Sequence, residues 1–222
     1  MKKGPNFTIS WTLKKMKIIF DHSHGHVVGN RVFCEAFVIP EGESEDFLLE
    51  NGWLPVVQPP VYWYQSQSIR INSEKVCLDK RQEKTFSKVK CDFFDYKNQE
   101  FVDDFFFDFF ETKNLDMKEF YQKNSQFFNL KVMSVSLDKN VVGYTRFLLF
   151  EKSILGFESS YLPNLPKHSL GINSILLLSK FGNQKGVNYL YIYEAYKDLY
   201  PHKFKITGAE YWEGEKWLPC DI

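Results

Sequence analysis

The stretch from residue 128 to residue 193 limits the fold most. Three strand-like runs, Phe128–Leu137, Val141–Phe150 and Ser153–Tyr161, are joined by Asp138-Lys139-Asn140 and by Glu151-Lys152. Joins this short connect neighbouring antiparallel strands, so the runs predict a meander. Pro163 and Pro166 end it. Ser169 then opens a helix carrying Leu170, Ile175, Leu176, Leu177 and Leu178 and ending near Gly182–Gly186. A further strand, Val187–Tyr193, follows directly.

Upstream, short strand-like runs at Lys17–Phe20 and Arg31–Val38 stop at Pro40-Glu41-Gly42. A helix fits Glu45–Asn51, with Ser44 as N-cap, acidic residues in its first turn and Gly52 beyond its last. Pro59-Pro60 precedes a strand over Val61–Ile71. From about residue 97, Phe101, Val102, Phe105, Phe106, Phe109 and Phe110 recur three and four apart, which predicts a helix with one aromatic face. Asp103, Asp104, Asp108 and Glu111 fall mostly on its other side, as on a core helix with a solvated acidic face. A short helix is expected near Asp116–Lys123. The whole reads as α+β: a smaller N-terminal α+β lobe over 1–96, then a second lobe over 97–222 built on a mixed sheet with flanking helices.

A chain of 222 residues can bury about 72% of its unfolded surface, enough for one or two cores. Hydrophobic residues at 44% and charged residues at 25% exclude disordered and collagen-like classes. Lys plus Arg and Asp plus Glu are equal at 28 each, so a polyanion must be met by a local patch rather than a global field. Arginine occurs only at Arg31, Arg70, Arg81 and Arg146, so a basic site would grip phosphate mainly through lysine point charges. Cys34, Cys77, Cys91 and Cys220 form no CxxC pair and follow no signal-peptide pattern, which points to free thiols and a cytoplasmic protein. No apolar run approaches bilayer length, so no membrane partner is expected.

The order of three antiparallel strands, a helix entered through a small-residue loop and one more strand is that of the GNAT-type acetyltransferase core. Free N–H groups at the helix start, around Ser169, Leu170 and Gly171, offer a place for an anionic group, and Gly171 lets backbone approach it. An acetyl-CoA enzyme of this class would carry Arg/Gln-x-x-Gly-x-Gly/Ala here; the aligned residues are His168-Ser169-Leu170-Gly171-Ile172-Asn173.

With its surroundings, Ser169-Leu170-Gly171 instead resembles the aminoacyl-tRNA–protein transferases, the arginyltransferases and their bacterial leucyltransferase relatives. Tyr161-Leu162-Pro163-Asn164, Tyr189-Leu190-Tyr191-Ile192 and Phe204-Lys205 are similar to the family's aromatic-x-Pro-Asp segment, Tyr-x-Tyr-Leu strand and Tyr-Lys. Leu48-Leu49-Glu50-Asn51-Gly52-Trp53, Tyr62-Trp63-Tyr64, Ser68-Ile69-Arg70-Ile71 and Val142-Gly143 extend the likeness, which runs from about Asp46 to Trp217. The chain departs from the family in lacking its cysteine cluster and its Arg-His pair, with Glu111-Thr112-Lys113 in that region. Tyr193-Glu194 stands where the family has Gly-Tyr.

The resemblance implies aminolysis of an ester: the amine of a protein or peptide N-terminus attacks the carbonyl of an aminoacyl-tRNA, which is the co-substrate, with no other cofactor and no metal. It implies that His168, Ser169, Leu170 and Gly171 hold the terminal phosphate-ribose and that Lys205 supplies charge near the acceptor arm. Tyr189, Tyr191 and Tyr193 alternate and so share a strand face, suited to stacking on the terminal adenine or to packing. Glu158, Glu194 and Glu210 lie at or beside strand ends; Glu194 is preferred as proton acceptor, with Glu210 beside it. Arg146, inside an apolar strand, either recognises an acidic N-terminal residue of the acceptor or closes an internal ion pair. The basic residues within Lys75–Lys90 form either a solvated surface or a tRNA contact. His22, His24 and His26 alternate as a metal site could, but without further ligands they read as surface histidines. Two other functions stay open: an acyl-CoA-dependent N-acetyltransferase, and a non-catalytic peptide- or RNA-binding descendant.

Overall fold

The computed structural model describes residues 17–20, 27–28, 31–32, 36–55, 63–96, 100–113, 130–162, 165, 169–195 and 200–220. Within them the meander forms as expected, with β-strands at Leu130–Leu137, Asn140–Leu149 and Ser153–Tyr161. In chain order these are β9, β10 and β11. Asp138 and Lys139 both take positive φ, as a two-residue hairpin turn requires. The helix after the meander, Leu170–Gln184, is α4 and the strand beyond it, Tyr189–Glu194, is β12.

A helical crossover returns the chain in the same direction, so β11 and β12 pair in parallel while the other strands of the sheet pair antiparallel. Four more strands complete this eight-stranded sheet: β7 (Ser68–Asn72), β8 (Val89–Asp95), β13 (Ala209–Trp212) and β14 (Trp217–Pro219). Its order is β14-β13-β7-β12-β11-β10-β9-β8. The fold is α+β with a mixed sheet and flanking helices, and its meander, helix and strand follow the element order of the GNAT-like core.

The remaining strands are short. β1 (Lys17–Phe20), β4 (Ala36–Ile39), β5 (Trp53–Pro55) and β6 (Trp63–Gln65) make a four-stranded sheet in the order β1-β4-β6-β5, and β2 (Val27–Val28) pairs with β3 (Arg31–Val32). The run expected as one strand over Val61–Ile71 is therefore two: Trp63–Gln65 joins the small sheet and Ser68–Asn72 the large one. Because β7 and β8 precede residue 96, one hydrogen-bonded sheet spans the boundary drawn there from sequence.

Three further helices flank the sheets. α1 (Glu45–Glu50) starts at Ser44, whose hydroxyl accepts from the Phe47 amide, and ends at Gly52 with φ +76°. α2 (Lys80–Phe86) lies within the basic stretch and was not evident from it; Asp79 and Gln82 form a capping box. α3 (Glu100–Glu111) is the aromatic helix, with Val102 and Phe106 fully buried against Val132 and Tyr144. Phe101 on the same helix is exposed, so the aromatic face is only partly covered. The helix expected near Asp116–Lys123 lies outside the described residues, as do His22, His24 and His26.

The large sheet buries both faces. On one side α4 packs Leu170, Leu176 and Leu178 against Ile69, Ile71, Ile154, Leu190 and Ile192. On the other, Trp53, Leu54 and Trp63 pack against Leu148, Leu155 and Tyr191. No helix among the described residues is long and apolar enough to cross a membrane.

Gly52 fastens α1 to the far edge of the large sheet. A Cβ there would stand 2.2 Å from the Trp212 indole, and the positive φ adds strain for any side chain. Gly52→Ala is expected to cost about 2–4 kcal/mol, read as a lower urea midpoint at unchanged slope. Gly42→Ala, at φ +114° with nothing within 4 Å, is expected to show only the backbone part, about 1–2 kcal/mol.

Candidate functional site

The site begins with a local irregularity in β11. Opposite β10, Arg146 pairs with Glu158 but Phe147 pairs with Gly156, so Phe157 is an extra, bulged residue. The parallel pairing with β12 runs from Ser153–Tyr189 to Gly156–Ile192 and stops there. Beyond Gly156, β11 stays on β10 as far as Gly143–Tyr161, while β12 stays on β7. The two strands thus part, and a cleft of about 690 Å³ lies where they do, lined from both strands and from α4.

The start of α4 forms one wall, with Ser169, Leu170 and Gly171. Ser169 sits in the left-handed region (φ 46°, ψ 47°) and its side chain makes no cap bond. The helical ladder starts with the Asn173 amide donating to the Ser169 carbonyl. The amides of Leu170, Gly171 and Ile172 therefore have no acceptor within the helix, which leaves a positive helix end at the cleft. Gly171 also makes room for a neighbouring ring. A Cβ there would meet the Tyr161 ring at 3.1 Å, so its lack of a side chain accommodates that tyrosine.

Basic side chains line the same cleft: Lys113 after α3, and His202 and Lys203 at the short 3-10 turn Lys203–Lys205. Burial lowers the Lys203 ammonium to about 8. Its Nζ stands 4.4 Å from the Tyr200 ring centre, where a ring face favours a cation. His202 is lowered by burial first and by the Lys203 charge second. The floor is apolar, formed by Ile175, Leu178, Leu190 and Ile192 among others.

Glu158 is the acidic residue that lines the cleft among the described residues; it pairs across the sheet with Arg146, while the neighbouring pair, Thr145 and Ser159, brings two hydroxyls to 2.9 Å. Behind it lies Arg146, 5% exposed, with Nη1 3.9 Å from Glu158 and Nη2 bonded to Asp103 of α3. The Tyr96 hydroxyl donates to Asp103 as well. Burial, then that hydrogen bond, raise the Tyr96 phenol well above its ordinary range.

Several residues singled out from sequence lie elsewhere. Tyr189, Tyr191 and Tyr193 do share a face, but it is the face opposite α4, packed toward the small sheet. There the Tyr193 hydroxyl donates to the Pro55 carbonyl and the Tyr191 ring meets Trp217 edge-on at 5.6 Å. Burial raises the Tyr191 phenol far above its ordinary range. These rings pack instead of presenting a stacking surface to the cleft. Glu210 is engaged by Arg70 at 2.6 Å, and that guanidinium lies 4.0 Å over Tyr189 and 4.6 Å over Trp217, so Glu210 also belongs to the packed face. Arg146 closes an internal ion pair, the second of its two expected roles, and is not placed to meet a substrate carboxylate. Lys205 is exposed and absent from the described cleft lining; Lys203, two residues earlier, takes its place. Glu194 ends β12 in register with Ser68, and His168 lies outside the described residues.

Sequence reasoning missed Lys203, His202 and Lys113. Tyr200-Pro201-His202-Lys203-Phe204-Lys205 marks a basic loop, but only the turn of the 3-10 segment decides which lysine faces inward. Among the described residues no group of three or more His, Cys, Asp or Glu side chains is placed to hold a metal ion.

No protein-family model and no curated protein matches the chain. Among solved structures it is similar to an aminoglycoside acetyltransferase from an uncultured soil metagenomic sample, at 20% identity over 54% of this chain and 86% of that one, with a TM-score of 0.39. It is also similar to the C-terminal domain of a protein described as a lysylphosphatidylglycerol synthetase from Agrobacterium fabrum, at 9% identity over 65% and 50% of the two chains, TM-score 0.43. A third is a GCN5-related N-acetyltransferase from Kribbella flavida, at 14% identity over 77% and 59%, TM-score 0.41.

The Lys203 charge gives the cleft a signature. The ammonium is protonated below about 8 and neutral above it, so the affinity for an anion at the α4 start should fall as pH rises from 7 to 9. Sulfate, whose charge is constant over this range, is a suitable probe in calorimetry. Lys203→Met is expected to weaken sulfate about tenfold at pH 7 and to flatten the dependence above it.

Proposed function

We propose that the protein transfers an acyl group from a phosphate-bearing carrier to an amine. The observation that carries this is the meeting, in one cleft, of a free helix N-terminus, lysine charge and the Glu158 carboxylate at the point where β11 leaves β12. The first two suit a phosphate group on the carrier, and the carboxylate suits an incoming ammonium.

The chemistry asked of such a site is modest, because the carrier ester is already activated. The amine, once deprotonated, attacks the carbonyl carbon; a C–N bond forms and the carrier C–O bond breaks. The amine proton passes to the Glu158 carboxylate, and the leaving oxygen takes up a proton. The walls contribute mainly by holding both partners in attack geometry. The β11–β12 ladder ends at Gly156–Ile192, so the side of β11 that faces the parting strands is where the acyl group would lie.

We infer further that the carrier is aminoacyl-tRNA and the acceptor the N-terminal amine of a protein or peptide. What supports this is convergence: Tyr161, Leu162, Ser169, Leu170 and Gly171, which carry the resemblance to the aminoacyl-tRNA–protein transferases, all line this cleft. An acyl-CoA carrier would present phosphate to the same helix end, and is the second reading. Against it, Ser169-Leu170-Gly171 lacks the Arg/Gln and the second small residue of the acetyl-CoA loop.

The test supplies purified protein with mixed radiolabelled aminoacyl-tRNAs, or with labelled acyl-CoA, and peptides beginning with Asp, Glu, Lys or Arg. Label entering peptide from tRNA is the expected result, and Glu158→Gln should lower the rate about 10²–10⁴-fold. Label from acyl-CoA alone would move the carrier assignment, and no transfer from either donor would leave a binding protein.

A further inference from the structure

β8 ends the large sheet on one side. Among the described residues its strand partner is β9, and no strand lies beyond it. The amide of Tyr96, one residue past β8, donates to the Leu130 carbonyl, and the β8–β9 register runs without a shift. Main-chain groups alternate in direction along an antiparallel strand. Lys90, Asp92 and Phe94 therefore turn theirs toward β9, and Val89, Cys91 and Phe93 turn theirs outward. An open edge of this length is a template for another strand.

The side chains decide which strand fits. Val89, Cys91 and Phe93 stand on the α4 face, where Val89 and Cys91 pack on the core and the Phe93 ring stacks on Phe181 at 3.9 Å. Phe93 nevertheless stays 37% exposed. Lys90 and Asp92 stand on the opposite face; both are exposed, and neither has an ion-pair partner among the described residues. From Cys91 outward in either direction, the segment Val89-Lys90-Cys91-Asp92-Phe93 passes one charge and then one apolar side chain, and the two charges are opposite in sign. Such a segment is complementary to its own reverse.

We propose that β8 pairs antiparallel with β8 of a second copy of this chain, in the register that sets Cys91 opposite Cys91 across a two-fold axis. Val89 of each copy then lies against Phe93 of the other and covers its exposed ring. Lys90 of each copy faces Asp92 of the other, one ion pair on either side of the axis. The outward main-chain groups of Val89, Cys91 and Phe93 are the ones that meet. Neighbouring registers lose this match: centring on Lys90 or on Asp92 sets like charges opposite each other, and centring on Phe93 sets Asp92 against Phe94 and breaks both ion pairs. A two-fold contact is closed, so each copy's edge is used up by the other. β9 and β10 separate this edge from β11 and β12, so the cleft stays open in the pair and the pairing is independent of the chemistry proposed for it.

Sedimentation velocity of the full chain across the micromolar range tests the pairing, with a concentration-dependent dimer as the expected result. Lys90→Asp sets acid against acid on both sides of the axis and should weaken the dimer about tenfold or more. Asp92→Lys should do the same, and the double variant Lys90→Asp/Asp92→Lys, which restores opposite signs, should return the affinity to near the wild-type value. Unchanged sulfate binding in the cleft shows that each variant is folded. Hydrogen exchange supplies a second reading: the Cys91 and Phe93 amides should slow as protein concentration rises, while that of Asp92, turned toward β9, should not change. A chain that stays monomeric throughout overturns the proposal, as does a dimer that ignores the single substitutions or is not recovered by the double one.

Discussion

One extra residue in β11 shapes the functional half of this molecule. A parallel strand pair leaves no gap between its members while its ladder continues, and the ladder between β11 and β12 ends after Gly156–Ile192. The bulge at Phe157 lets β11 turn while keeping its antiparallel bonds to β10, so the sheet opens on one side and stays closed on the other. The cleft, the helix end beside it and the place of Glu158 all follow from that single break. A regular strand would have continued the ladder and closed the space.

The two faces of the sheet then divide the work. The α4 side holds the aliphatic core and the cleft, where Leu190 and Ile192 point. The other side carries the aromatic layer, with Arg70 between Tyr189 and Trp217 and closed by Glu210. Arg70, half-buried, and Arg146, buried, are each matched by a carboxylate from a distant part of the chain, Glu210 and Asp103. Removing one member of such a pair leaves an uncompensated buried charge, which is far more costly than the pair is favourable. These pairs therefore fix how the surrounding elements are seated on the sheet.

Much of this was legible residue by residue. The meander announced itself through joins of two and three residues, α1 through Ser44 and Gly52, and α3 through its three-four spacing of phenylalanines, because these signals are local and set by backbone geometry. The start of α4 was also marked in advance, and it does line the cleft. What failed were choices between faces. Alternation put Tyr189, Tyr191 and Tyr193 on one side of β12 but could not say which side would receive the helix. The same limit applies to Lys203 and Lys205, which are two residues apart in a turn whose direction depends on the strand that follows.

The amino-acid sequence by itself determined the elements of the second half and their order, since hydrophobic period, caps and turn residues act over a few positions. Only the tertiary structure decided that Ser68–Asn72 crosses from the small sheet into the large one, that β11 bulges at Phe157, and that Arg146 answers to Asp103 as well as to Glu158. These are long-range matters, with Asp103 and Arg146 lying 43 positions apart. They are settled by which buried charges and strand edges find partners when the whole chain closes, and no local pattern carries that information.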